Sequence, residues 1–89
     1  PEIQIPVDES IKFDLVERLK KETSGFEAAT LTTIDGLRVD FSDSWGLVRA
    51  SNTSPYLTLR FEADDEDSLG NIQALFREKL FIVDESLQF

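Results

Sequence analysis

Thr30-Leu31-Thr32-Thr33-Ile34-Asp35-Gly36-Leu37-Arg38-Val39-Asp40-Phe41 reads as a β-hairpin, and that reading decides the fold. Thr30 to Ile34 is rich in β-branched residues, which favour strands. Asp35-Gly36 is a strong two-residue hairpin signal, because Gly supplies the positive φ that such a turn needs. Leu37 to Phe41 then alternates apolar with polar, as a strand with one buried face must. Further along, Ser42-Asp43-Ser44 predicts another turn and Trp45 to Ala50 a third strand. Ser51 to Pro55 is a polar loop closed by a proline. Tyr56 to Ala63 is a fourth strand of this run, with Leu57, Leu59 and Phe61 on one face and Thr58, Arg60 and Glu62 on the other.

Helical patterns flank this run. On its N-terminal side, Glu2 to Pro6 predicts a short edge strand ended by the proline. Asp8 is a good N-cap for a helix over about Glu9 to Thr23, in which Ile11, Leu15, Val16 and Leu19 recur at helical spacing. Lys12, Glu17, Lys20 and Lys21 are assigned to its polar face, and Gly25 stops it. On the C-terminal side, Asp64 is the expected cap of a second helix, with Asp65, Glu66 and Asp67 suiting the positive end of its dipole. Its apolar stripe is Leu69, Ile72, Leu75, Phe76, Leu80 and Val83. The order β-α-β-β-β-β-α predicts an α+β fold, one antiparallel sheet with two helices packed on one face. Residues 1–89 suffice for a single domain with one core.

Composition narrows the function. The chain has 18 acidic residues against 9 basic, a formal net charge of −9, which opposes nucleic acid or an anionic membrane as partner. There is no apolar run long enough for a membrane helix. Without Cys there is no disulfide framework or thiolate metal site, as a cytoplasmic protein would have it. Without His or Cys, the commonest general base and the strongest common nucleophile are missing, and Ser51 has no base beside it in sequence. No catalytic residue is therefore assigned. The acidic cluster Glu62 to Asp67 lacks the alternating ligands and Gly of a calcium loop, so no metal ligand is assigned and the cluster reads as a solvated helix start.

One segment stands apart. Trp45 to Phe61 carries Arg49 and Arg60 and no acid. Within it, Arg49-Ala50-Ser51-Asn52-Thr53-Ser54-Pro55 offers a guanidinium, three hydroxyls and an amide, all able to donate hydrogen bonds. Arg matches phosphate through bidentate, charge-assisted pairing, and a tight loop can turn successive N–H groups inward as an anion nest. The chemistry is that of a phosphate cradle. An ordinary Ser/Asn/Pro turn is the alternative, and Trp45 and Tyr56, at the strand ends beside the loop, read as packing aromatics rather than sugar-facing ones.

Thr33-Ile34-Asp35-Gly36-Leu37-Arg38-Val39 and the stretch from Trp45 through Arg49-Ala50-Ser51-Asn52-Thr53-Ser54-Pro55 to Ala63 closely resemble the C-terminal domain (domain 4) of the α-D-phosphohexomutase superfamily, in its bacterial phosphomannomutase/phosphoglucomutase branch. The resemblance runs more weakly over nearly the whole chain. The Arg-x-Ser-Asn-Thr-x-Pro loop is its most specific part; phosphoglucosamine mutases usually carry Ser-Gly-Thr-Glu-Pro there. Ser44 departs from the Gly that many members place before the Trp, a difference confined to a turn.

The resemblance implies a TATA-box-binding-protein-like fold and a phosphate-binding role for Arg49, Ser51, Asn52 and Thr53, with Arg60, Ser54 and Pro55 in support. It implies that this chain, which opens at Pro1, is one domain of a four-domain isomerase and is not catalytic alone. The partners implied are a hexose phosphate substrate and the preceding domains of the same polypeptide. In the full-length enzyme a phosphoserine would donate its phosphoryl group to a hexose monophosphate. The resulting 1,6-bisphosphate would turn over and return its other phosphate. Magnesium and glucose 1,6-bisphosphate are implied for that enzyme, and no cofactor for this domain. The competing expectation is an acidic protein-interaction module without a ligand.

Overall fold

The computed structural model describes residues 2–22 and 24–89. Five strands form one sheet: β1 (Glu2–Pro6), β2 (Thr30–Thr32), β3 (Leu37–Asp40), β4 (Ser44–Ala50) and β5 (Tyr56–Ala63), with helices α1 (Lys12–Leu19) and α2 (Glu66–Val83). The strand order is β1-β5-β4-β3-β2, and every neighbouring pair is antiparallel. The expected α+β architecture and element order are thus present. β1 lies at one edge, where Pro6 removes no ladder hydrogen bond that a neighbour needs.

Both helices pack against the central strands. Leu57, Leu59 and Phe61 of β5, Val48 of β4, and Leu37 and Val39 of β3 meet Leu15, Val16 and Leu19 of α1 and Ile72, Phe76, Leu80 and Val83 of α2 in one core. Gly46 marks the closest approach. A Cβ there would lie 2.7 Å from Cε1 of Phe76, so the ring occupies the space that a side chain would take. Phe61 meets Phe76 edge-on at 5.0 Å between centroids. Among the described residues no buried side-chain nitrogen or oxygen lacks a hydrogen-bond partner.

Element ends differ from expectation most at α1, α2 and β2, each with a local cause. α1 is shorter than Glu9 to Thr23. Asp8 does not cap it; Oδ1 of Asp8 instead accepts from the Ser10 N–H (2.9 Å) and Oγ (2.7 Å), a local turn that competes with helix. Beyond Leu19 the backbone tightens to i,i+3 bonds at Lys21 and Glu22, and Gly25 takes φ +90; Thr23 lies outside the described residues. Asp65, not Asp64, caps α2, accepting from the Ser68 N–H at 2.7 Å, because the Asp64 N–H is held by the Asp43 carbonyl. β2 stops at Thr32, so the hairpin connection spans residues 33–36 rather than two residues.

Lys12 is the fourth correction. Expected on the solvated face of α1, it is only 1 % exposed.

Candidate functional site

The β4–β5 connection is built from its neck outward. The Ser51 N–H donates to the Tyr56 carbonyl (3.0 Å), closing the loop at its base. Above that bond Oγ of Ser51 accepts from the N–H groups of Thr53 (3.4 Å) and Ser54 (3.2 Å). Two successive backbone donors therefore converge on one point, and the Ser51 hydroxyl hydrogen stays free to donate. Both bonds are long for N–H···O geometry, so these donors are weakly engaged. The exit leg is fixed more firmly. The Ser54 carbonyl accepts from the Tyr56 N–H (2.9 Å) and from Nζ of Lys12 (3.1 Å), and the Pro55 carbonyl accepts from the Val7 N–H (2.9 Å).

Arg49 stands at the entry to this loop, on the sheet face away from the helices, directly opposite Thr58 in the β4–β5 register. Its side chain is 48 % exposed and donates through Nη1 to Oδ2 of Asp35 at 3.3 Å. Gly36 brings these segments together. It has φ +82, and a Cβ would fall 2.3 Å from the Val48 carbonyl and 2.9 Å from Cα of Arg49. Only glycine lets the β2–β3 connection lie this close to β4.

Arg49, Ser51, Asn52 and Thr53 line a single open depression of about 330 Å³, together with Asp35, Ala50 and Thr58. All four predicted binding residues are thus gathered in one place. Ser54 and Pro55 form the loop's exit without lining the depression, and Arg60 lies outside it, on the same sheet face two residues beyond Thr58. Thr58 also lines the depression and is only 7 % exposed, although it faces away from the helices.

Three residues of this site were not identified in the sequence: Asp35, Thr58 and Lys12. In the sequence Asp35 reads only as a turn residue. Its carboxylate comes 14 residues along the chain to pair with Arg49, and Lys12 reaches 42 residues to Ser54. Trp45 does not flank the loop. It stands second in β4, roughly 13 Å of strand from Arg49 at about 3.3 Å per residue, and its ring lies 4.2 Å beneath the Arg38 guanidinium. That guanidinium also binds both carboxylate oxygens of Asp40 (3.0 and 3.1 Å), a hydrogen bonding that raises its pKa. Arg38 is therefore held by two hydrogen bonds and an aromatic ring, where Arg49 makes one long bond. A second depression at the far end of β4 is lined by Asp43, Glu62 and Asp64 and is unsuited to an anion. Among the described residues no three His, Cys, Asp or Glu side chains gather in a metal-binding group, so these residues do not fit a magnesium ion.

Fold and site together define a small α+β sheet domain with one donor-lined loop. Residues 2–79 match the family described as phosphoglucomutase/phosphomannomutase, C-terminal domain, and the chain belongs to that family. It is 52 % identical over 87 residues to the phosphomannomutase/phosphoglucomutase of Pseudomonas aeruginosa, an alignment covering 98 % of this chain and 19 % of that protein. It is 47 % identical over 79 residues to a phosphoglucomutase of Neisseria meningitidis serogroup B, covering 86 % of this chain and 17 % of that protein. The crystal structure of a phosphoglucomutase/phosphomannomutase family protein from Burkholderia thailandensis superposes with a TM-score of 0.84 at 37 % identity, covering 99 % of this chain and 18 % of that one. The chain thus spans about a fifth of the length of the curated relatives it matches. No helix among the described residues is long and apolar enough to cross a membrane.

Proposed function

We propose that this domain grips the non-transferring phosphate of a hexose phosphate within a full-length phosphomannomutase/phosphoglucomutase, a cytoplasmic isomerase that interconverts 1-phosphates and 6-phosphates. One observation carries the reading: Arg49, Ser51, Asn52 and Thr53, each with a hydrogen-bond donor, line one depression in a chain of net charge −9. A phosphate oxygen, being charged, would draw the guanidinium, the Ser51 hydroxyl and the weakly engaged Thr53 N–H into charge-assisted bonds, about twice as strong as neutral ones. Asn52 and Thr53, both exposed, add side-chain donors at the rim, and Arg60 supports the site from the adjoining sheet face.

The domain's contribution is orientation. Holding one phosphate places the other against a group on the preceding domains, and a cradle that reads only phosphate accepts the sugar in either direction. Closure of this domain over the cleft excludes water from the reacting centre; unchanged interdomain geometry between free and substrate-bound full-length enzyme would refute it. Magnesium and glucose 1,6-bisphosphate belong to the full-length reaction, and no step of this domain runs through the metal.

Amide NMR of the 89-residue chain, titrated with glucose 6-phosphate and with glucose, tests the cradle. The expected result is shifts confined to the segment from Arg49 to Ser54, with the phosphate ester alone and with roughly millimolar affinity, since the contacts of the other domains are missing. Shifts with both ligands, or shifts elsewhere, would count against it.

A further inference from the structure

The loop is also held from α1, through the side chain of Lys12. This side chain is 1 % exposed, although lysine is among the residues least often buried. Its ammonium meets Oε1 of Glu9 at 2.7 Å and the Ser54 carbonyl at 3.1 Å. Glu9 is 63 % exposed, and an ion pair with it could form on the surface. The Ser54 carbonyl is the contact that requires burial. Ser54 precedes Pro55, so the peptide between them has no N–H, and this carbonyl is its only polar handle. One lone pair takes the Tyr56 N–H and the other the ammonium of Lys12, while the N–H of the same Ser54 points at Oγ of Ser51.

We propose that Lys12 is the positioning residue of this loop: by clamping the Ser54 carbonyl from α1 it holds the turn closed on Ser51 Oγ, and so keeps Ser51, Asn52 and Thr53 where they line the depression for one phosphate. The inference rests on the reading of the loop as a phosphate cradle. Without the ammonium, the Ser54 carbonyl loses a partner and the loop gains freedom. The phosphate must then order donors that Lys12 now holds in place, and its affinity falls. Lys79 supplies the contrast. It is also buried, at 2 % exposure, but its ammonium meets Oγ of Ser24 at 2.7 Å and touches no part of the loop.

The experiment uses the full-length polypeptide that carries this domain. Glucose 6-phosphate binding is followed by calorimetry, and amide hydrogen exchange within this domain monitors its stability. Arg49→Ala tests the cradle itself: wild-type affinity in that variant sinks the underlying reading and the inference with it. If Arg49→Ala binds weakly, Lys12→Met is expected to bind roughly tenfold more weakly than wild type, on the scale of donors displaced by a fraction of an ångström. Lys79→Met and Val16→Ala should lose exchange protection yet bind as wild type does. Lys12→Arg, which restores a buried donor, should recover part of the loss. Equal affinity in Lys12→Met and wild type overturns the proposal. So does an affinity loss in Lys79→Met or Val16→Ala that matches Lys12→Met at equal protection. If Lys12→Met does not fold, Lys12→Gln carries the same comparison.

Discussion

Arg49 and Asp35 face each other across the depression at 3.3 Å, and their removal should have opposite effects. Arg49 is half exposed and contributes nothing to the core, so Arg49→Ala should leave the fold intact. Phosphate affinity should drop by about 1.5–3 kcal/mol, the scale of a charge-assisted hydrogen bond. Gross unfolding of that variant, seen by circular dichroism, would contradict a ligand role. In the proposed cradle, Asp35 would set a carboxylate against the bound phosphate while holding the guanidinium that binds it. Asp35→Asn keeps a turn-compatible side chain and removes that charge, so affinity should rise by roughly two- to fivefold. Because both groups are exposed, the gain should shrink as salt is added. Titration of both variants at low and high ionic strength checks the pair; weaker binding in Asp35→Asn would recast Asp35 as an orienting partner rather than a competitor.

At the scale of elements, the strands were legible because period-two alternation and the Asp35-Gly36 signal are encoded in contiguous residues. The helix stripes were legible for the same reason. Element ends were less so, since a neighbouring segment decides them: Asp43 ties down Asp64 and moves the cap to Asp65, and the Asp8 turn keeps α1 from starting early. The candidate site divides along the same line. Its donors sit side by side in Arg49 to Thr53 and could be read directly; Asp35, Thr58 and Lys12 join them only through the packing of the sheet and α1. Two glycines give a test at this scale, with opposite signs. Gly46→Ala would put a methyl 2.7 Å from the Phe76 ring and 3.0 Å from Phe61, and should destabilise by about 1–3 kcal/mol. Gly70, inside α2, has open space where its Cβ would be, and Gly70→Ala should stabilise by about 0.5–1 kcal/mol through helix propensity alone. Urea unfolding of the two variants measures both. Equal stabilities would mean that α2 does not press on β4 as closely as the structure has it.

For the molecule as a whole, acid stability is set by two opposing effects. Net charge is −9 near neutrality and approaches zero near the sequence pI of about 4.3, so moderate acidification relieves self-repulsion. Against this, hydrogen bonds hold three carboxyl groups below their usual 3.8. The Ser10 hydroxyl and N–H act on Asp8, and the N–H and hydroxyl of Ser68 and of Ser86 act on Asp65 and Asp84. For each, the unfolded chain takes up its proton at a higher pH than the native one. The stability these carboxylates contribute is therefore fully present well above 3.8, and is lost as pH falls from there through the lowered native values. The melting temperature should accordingly change little between pH 7 and about pH 4.5 and then fall steeply below 3.8. Asp65→Asn separates the two effects, because Asn is as good an N-cap as Asp but does not titrate. Its melting temperature at neutral pH should lie within about 2 °C of the wild type. Below pH 3.8 its decline should be shallower, by a few degrees near pH 3, because one of the three acid-labile groups is gone. Parallel declines in the two proteins would transfer the acid sensitivity from the cap of α2 to the turns at Asp8 and Asp84.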